Sequence, residues 1–103
     1  MSARLLQINF KFDLSKSEYE GAADQLAQAF AELAGLRWKI WIMNAAEREA
    51  GGIYLFEDEA AMQNYLNGPL AAQLKAHPSL RDLSVKAFEV MDAPTKVTRG
   101  PIG

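Results

Sequence analysis

The run LRWKIWIMN at residues 36–44 constrains the fold more than any other stretch, because it carries a tryptophan for each face of a strand. Trp38 and Trp41 are three apart, an odd spacing that puts them on opposite sides wherever side chains alternate. Ile40 and Ile42 are β-branched, Gly35 precedes the run and the polar segment NAAERE follows it, all of which select strand over helix. Two indoles left in water would forgo a large burial free energy. A chain with this strand needs cover on both of its sides.

The neighbouring segments supply the rest of the sheet. Residues 4–12 alternate, with Leu6, Ile8, Phe10 and Phe12 on one side and Leu5, Gln7, Asn9 and Lys11 on the other. The spacing then changes: Tyr19, Ala22/Ala23, Leu26, Phe30 and Leu33 predict a helix over about 17–34. Ser17 and Glu20 have the spacing of a capping box, and Gly35 stands where a C-cap favours positive φ. A third strand, residues 51–57, follows across a hairpin loop. Matching apolar faces pairs Ile42 with Ile53 and Ile40 with Leu55, and sets Trp41 opposite Tyr54. Asp58 caps a second helix through Met62, Tyr65 and Leu66, which NGP at 67–69 interrupts; LAAQLKAH forms a short third piece, and a last strand covers about 82–91. The final residues have no periodicity. One domain over 1–92 with an extended tail at 93–103 is therefore expected.

The order βαββαβ is that of an α+β, ferredoxin-like fold: an antiparallel four-stranded sheet with helices on one face. On this reading Trp38 faces the helices. The helix-free face then shows Trp41, Met43, Tyr54 and Phe56 among Arg37, Lys39 and Asn9, and an apolar patch of this kind marks an interface. A two-fold homodimer through that face, closing a dimeric α+β barrel, covers it most economically.

A chain of 103 residues can build one core. Its net charge of −2 and pI near 5.3 argue against nucleic acid or an anionic lipid surface as partner. No cysteine is present, which excludes disulfides and thiolate chemistry. The amino-terminal MSARLLQINFKF lacks the apolar run of a signal peptide and no later segment has the length of a membrane span, so the cytoplasm is the expected compartment.

The segments LLQINFKF, GLRWKIWIMN, EAGGIYLFEDEAAMQNYL and VKAFEV followed by a proline resemble the YdhR-like monooxygenase family of the dimeric α+β barrel superfamily. The resemblance runs along nearly the whole chain in order. It implies a homodimer and a likeness to cofactor-independent oxygenases that oxidise polycyclic phenols to quinones. Such chemistry needs no metal or flavin, because a deprotonated phenol can itself supply electrons to O2. The protein contributes an apolar slot, donors for a developing oxyanion and a route for the proton.

The candidate catalytic residues are Trp38, Asn44 and His77, and the candidate substrate-binding residues Tyr54, Tyr65, Arg37 and Trp41. Trp38 and Tyr54 either wall a slot with polar-tipped rings or serve packing alone; the register above sends them to opposite sides of the sheet. Asn44 either binds a substrate oxygen or starts the hairpin turn. Tyr65 looks onto the same region from the second helix or is a half-buried packing residue. His77, the sole histidine, is the obvious proton carrier, although its place at a helix end before Pro78 also suits a solvated residue. Arg37 and Lys39 either hold an anion or pair with acids across the dimer. No helix begins at Gly51 and Gly52, so they suit a bulge or close backbone contact better than a phosphate loop.

Three activities follow. The first is a cofactor-free monooxygenase acting on a small aromatic or polycyclic phenol. The second is a non-catalytic dimeric module that binds a hydrophobic molecule. The third, haem degradation, is implied by the superfamily resemblance, where it uses an Asn on the first strand, a Trp on the third and a His on a later helix; Asn9 and His77 would fit, but the third strand here has Tyr54 and Phe56 where tryptophan is expected.

Overall fold

The structure, a computed structural model, describes residues 2–103. Four strands, β1 (Arg4–Phe12), β2 (Leu36–Asn44), β3 (Glu49–Phe56) and β4 (Leu80–Glu89), form one antiparallel sheet in the order β2-β3-β1-β4. Three helices, α1 (Lys16–Ala31), α2 (Glu59–Leu66) and α3 (Pro69–Ala76), pack on one face of it, as the α+β ferredoxin-like reading requires. The alternation in β1 is realised fully: Leu6, Ile8, Phe10 and Phe12 are buried under Phe30 of α1, Met62 and Tyr65 of α2 and Ala71 of α3.

Local chemistry fixes the helix ends. The α1 cap is Ser15, not Ser17: its hydroxyl accepts the Glu18 N–H at 3.1 Å while the Glu18 carboxylate accepts the Ser15 N–H at 2.9 Å. The sequence SKSEYE contains two overlapping boxes, and their surroundings separate them. Capping at Ser15 places Leu14 before the cap and Tyr19 at the fourth helical position, both packed on the core. Capping at Ser17 would put Lys16 and Gly21 there, with no apolar staple. Asp58 caps α2 through the Ala61 N–H at 2.9 Å, and Pro69 opens α3. Gly35 has φ of +81°, and a side chain there would collide with Ala61 of α2.

The hairpin β2–β3 is where expectation and structure part. Ile40 pairs with Ile53, Trp41 with Gly52 and Lys39 with Tyr54, two residues away from the expected register. The parity is the same, so the same residues share a face, but the faces are exchanged. Trp41, Met43, Tyr54 and Phe56 belong to the helix side, where Trp41 meets Phe30 edge-on at 5.4 Å between ring centroids. Trp38, Ile40 and Ile42 take the helix-free side with Ile53 and Leu55. Trp41 is therefore not a helix-free-face residue and Trp38 does not face the helices. The irregularity at Arg37, which the pairing skips, lets Leu36 pack on the core while Trp38 turns away.

The carboxy-terminal residues are not simply extended. Asp92–Val97 forms a short helix, α4, after which the chain returns to the far edge of the sheet. The Trp38 indole N–H donates to the Pro101 carbonyl at 2.8 Å, and the Arg37 guanidinium donates to Ile102 O at 2.8 Å. Leu55, opposite Trp38 in the register, is fully buried. What stays open on this side includes Ile40, 51% exposed, and Phe88, 47% exposed.

Candidate functional site

Between the sheet and its helices lies a cavity of about 110 Å³. Its floor is aromatic: Phe10 from β1, Tyr54 from β3, Phe30 from α1 and Tyr65 from α2. Trp41 and Lys39 enter from β2, and Leu70, Gln73 and Leu74 from α3. Leu26, Gln73 and His77 are exposed lining residues, which places the mouth between α1 and the end of α3.

Of the residues picked out in the sequence, Tyr54, Tyr65, Trp41 and His77 meet here. Trp38 and Arg37 do not, being bound to the tail carbonyls on the other side. Asn44 is at the opposite end of β2, where its side-chain oxygen accepts the Glu47 N–H at 3.3 Å and so serves the hairpin turn. Asn9 accepts from the Gln7 amide on the helix-free face, so it cannot converge with His77 on one haem.

The two buried tyrosines form a pair, their hydroxyls 3.3 Å apart. Burial first, then the adjacent Tyr65, pushes the Tyr54 hydroxyl far above its ordinary value; burial raises Tyr65 as well, with its bond to Tyr54 acting the other way. Both stay protonated at neutral pH. One O–H is used between them, and the second proton is available to a ligand oxygen. Tyr19 stacks on Phe12 at 5.0 Å and is likewise raised by burial. At the rim, His77 Nδ1 accepts the Ser79 N–H at 3.1 Å, which leaves Nε2 as the nitrogen outside that bond.

The sequence reading set Lys39 on the helix-free face, to hold an anion or pair with an acid across the dimer; the structure directs it into the helix-side cavity. Its ammonium nitrogen lies 3.5 Å from the Trp41 ring centroid, 3.6 Å from that of Phe30 and 4.6 Å from that of Tyr54. No acid lines the cavity, and burial pushes the amine down to about 7. A glycine diagonal to it, opposite Trp41, leaves room: a β-carbon at Gly52 would come 2.7 Å from Lys39 Cε. The available signal was the pairing of a lysine flanked by aromatics with a glycine-rich partner strand. Among the described residues, no group of three or more His, Asp or Glu side chains is placed to hold a metal ion, and no helix is long and apolar enough to cross a membrane.

The sequence profile of the family described as "Putative mono-oxygenase ydhR" matches residues 5–101. No curated protein matches the sequence. Among solved structures, a protein of unknown function from Nitrosomonas europaea superposes with a TM-score of 0.76 at 20% identity, covering 90% of this chain and 93% of that one. SnoaB, a cofactor-independent oxygenase from Streptomyces nogalater, gives 0.71 at 16% identity, with 87% and 94% covered. Rv0793 from Mycobacterium tuberculosis gives 0.70 at 16% identity, with 88% and 97% covered. At these identities the likeness speaks to the fold alone.

Proposed function

The chain belongs to the ydhR mono-oxygenase family, and on that premise we propose that its helix-side cavity binds a small phenol and oxidises it with O2 without a cofactor. The observation that carries this reading is the convergence of Tyr54, Tyr65, Trp41, Lys39 and His77 on one aromatic-walled space. The rings and aliphatic side chains hold a flat apolar body, and a tyrosine hydroxyl donates to its oxygen. In the overall conversion of a phenol to a quinone, one oxygen atom of O2 becomes the new carbonyl and the other leaves as water. The substrate supplies all four electrons.

Size narrows the substrate. An apolar cavity of about 150 Å³ admits benzene, and the space here is about 110 Å³. The enclosed space is smaller than that and holds at most one ring, so a substituted ring or a polycyclic phenol would extend through the mouth past Leu26 and His77. Oxygen uptake with a panel of single-ring phenols and quinols tests the reading, with consumption of one O2 for each phenol converted as the expected result. Ligand binding with uptake no faster than in buffer would leave a binding module instead.

The homodimer is part of the same proposal, with its interface residues revised. Ile40, Ile42, Ile53 and Phe88 stand on the helix-free face, next to the polar Gln7 and Asn9. A second copy seated there would cover Ile40 and Phe88 and close the barrel. The ligand cavity is on the other side of the sheet, so each protomer contains a whole one.

A further inference from the structure

We propose that Lys39 takes the phenolic proton and then holds the anion it has made, which limits the site to phenols and enols that can ionise beside a neutral amine. This rests on the reading of the cavity as a phenol site. The step is a proton transfer and nothing else: the substrate O–H bond breaks, an N–H bond forms on Nζ, and an ammonium faces a phenolate. The electron-rich anion is then the species that meets O2.

Three independent features of the structure carry the assignment. The first is position. Lys39 Nζ reaches the cavity lined by the paired tyrosines, held over Trp41 and Phe30 at about equal distance. The second is the absence of a competing partner. The ionisable groups that face the cavity besides Lys39 are Tyr19 from α1, Tyr54 from β3, Tyr65 from α2 and His77 beyond α3. The acids nearest along α1, Glu20 and Asp24, line a separate groove outside Trp41. Among the described residues, no salt bridge involves Lys39. A cation in such a cavity lacks its counter-ion, and a phenolate would supply it.

The third feature is accommodation. Gly52 of β3 has no side chain where a β-carbon would come 2.7 Å from Lys39 Cε, so the lysine stem lies across the strand there unobstructed. Burial brings the amine to about 7, where a substantial fraction is unprotonated at neutral pH and can accept a proton. The ring faces then stabilise the ammonium that forms, because their electron-rich centres attract a cation. Arginine could not serve, since its guanidinium does not release a proton at accessible pH.

The test uses para-nitrophenol, whose neutral and ionised forms absorb at well-separated wavelengths, at a pH where the free compound is mostly neutral. Bound to the wild-type protein it should show the anion band. In Lys39→Met the band should vanish and affinity for the anion should fall by roughly tenfold to a hundredfold. Lys39→Arg, which keeps a cation but cannot take up the proton, should bind the anion only as bulk pH generates it. Circular dichroism of each variant checks folding. A neutral spectrum for the bound probe in the wild type, failure of the probe to bind, or an anion band that survives in Lys39→Met would overturn the assignment. Phenol oxidation is read separately. Absent O2 uptake with the anion band intact removes the oxygenase reading and keeps Lys39 as the anion partner, while unchanged uptake in Lys39→Met removes Lys39 alone.

Discussion

Replacing Lys39 by methionine should stabilise the protein, and by an amount that depends on pH. The amine titrates near 10.5 in an unfolded chain and at about 7 in the folded one. Between these values the unfolded chain holds a proton that the folded chain lacks, so stability rises with pH across that window. Below about pH 7 the cost of burying the ammonium is present in full; by about 10.5 it has gone. At about 1.4 kcal/mol for each pKa unit, the displacement corresponds to about 5 kcal/mol. Methionine has a similar length and no charge, so it fills the same path over Gly52. Urea denaturation at fixed protein concentration, near pH 6 and again near pH 10, measures the difference. Lys39→Met should exceed the wild type by about 3–5 kcal/mol at the lower pH, and the gap should shrink at the higher. No gain at either pH, or a gap that widens as pH rises, would refute the reasoning.

Other substitutions separate the two faces of the sheet. Tyr65→Phe removes one member of the buried hydroxyl pair and should cost about 1–2 kcal/mol by thermal or chemical denaturation, with weaker binding of phenols. Trp38→Phe loses the 2.8 Å bond to Pro101 O. It should free the carboxy-terminal residues to limited proteolysis at a cost of about 1 kcal/mol and leave phenol binding unchanged. Ile40→Glu, on the helix-free face at a half-exposed position, should convert dimers to monomers in size-exclusion chromatography without disturbing the cavity. An unchanged elution volume would count against an interface on that face.

Much of the fold was legible because some strands have only one apolar side. β1 leaves no choice: Leu6, Ile8, Phe10 and Phe12 alternate with polar residues, and all four are buried. β2 offers apolar residues on both sides, so its pattern alone does not say which side meets the helices, and the reading that set Lys39 on the helix-free side chose the wrong one. A lysine carries a long apolar stem, and Lys39 lays its stem and amine over aromatic rings on the covered side. The two-residue error in the β2–β3 register has a similar origin. Sliding by two still sets apolar residues opposite one another, Ile40 on Ile53 and Trp38 on Leu55, so matching apolar faces cannot tell the alternatives apart.

The site was legible in residue type more than in place. Tyrosine, tryptophan and histidine were chosen for their polar tips, and four of them do line one cavity. Trp38, Arg37 and Asn44 were chosen on the same ground but have their hydrogen bonds met elsewhere, by the tail and by the hairpin turn. For Trp38 and Arg37 that distinction depends on contacts 63 and 65 residues apart in sequence, between β2 and the last residues, which no local pattern encodes. Lys39 was legible as a charge that could hold an anion, but on the wrong face of the sheet. What sets its chemistry is the absence of an acid around it and the presence of a glycine diagonal to it on β3, both tertiary facts.

The most direct measurement is a nuclear magnetic resonance titration with isotope-labelled lysine, in which the Lys39 Cε signal is assigned by its loss in Lys39→Met. The signal should titrate near 7, apart from the other lysines, and should move when para-nitrophenol is added. A Lys39 signal that titrates with the rest near 10.5 and ignores the phenol would contradict an unpaired amine poised in an aromatic cavity.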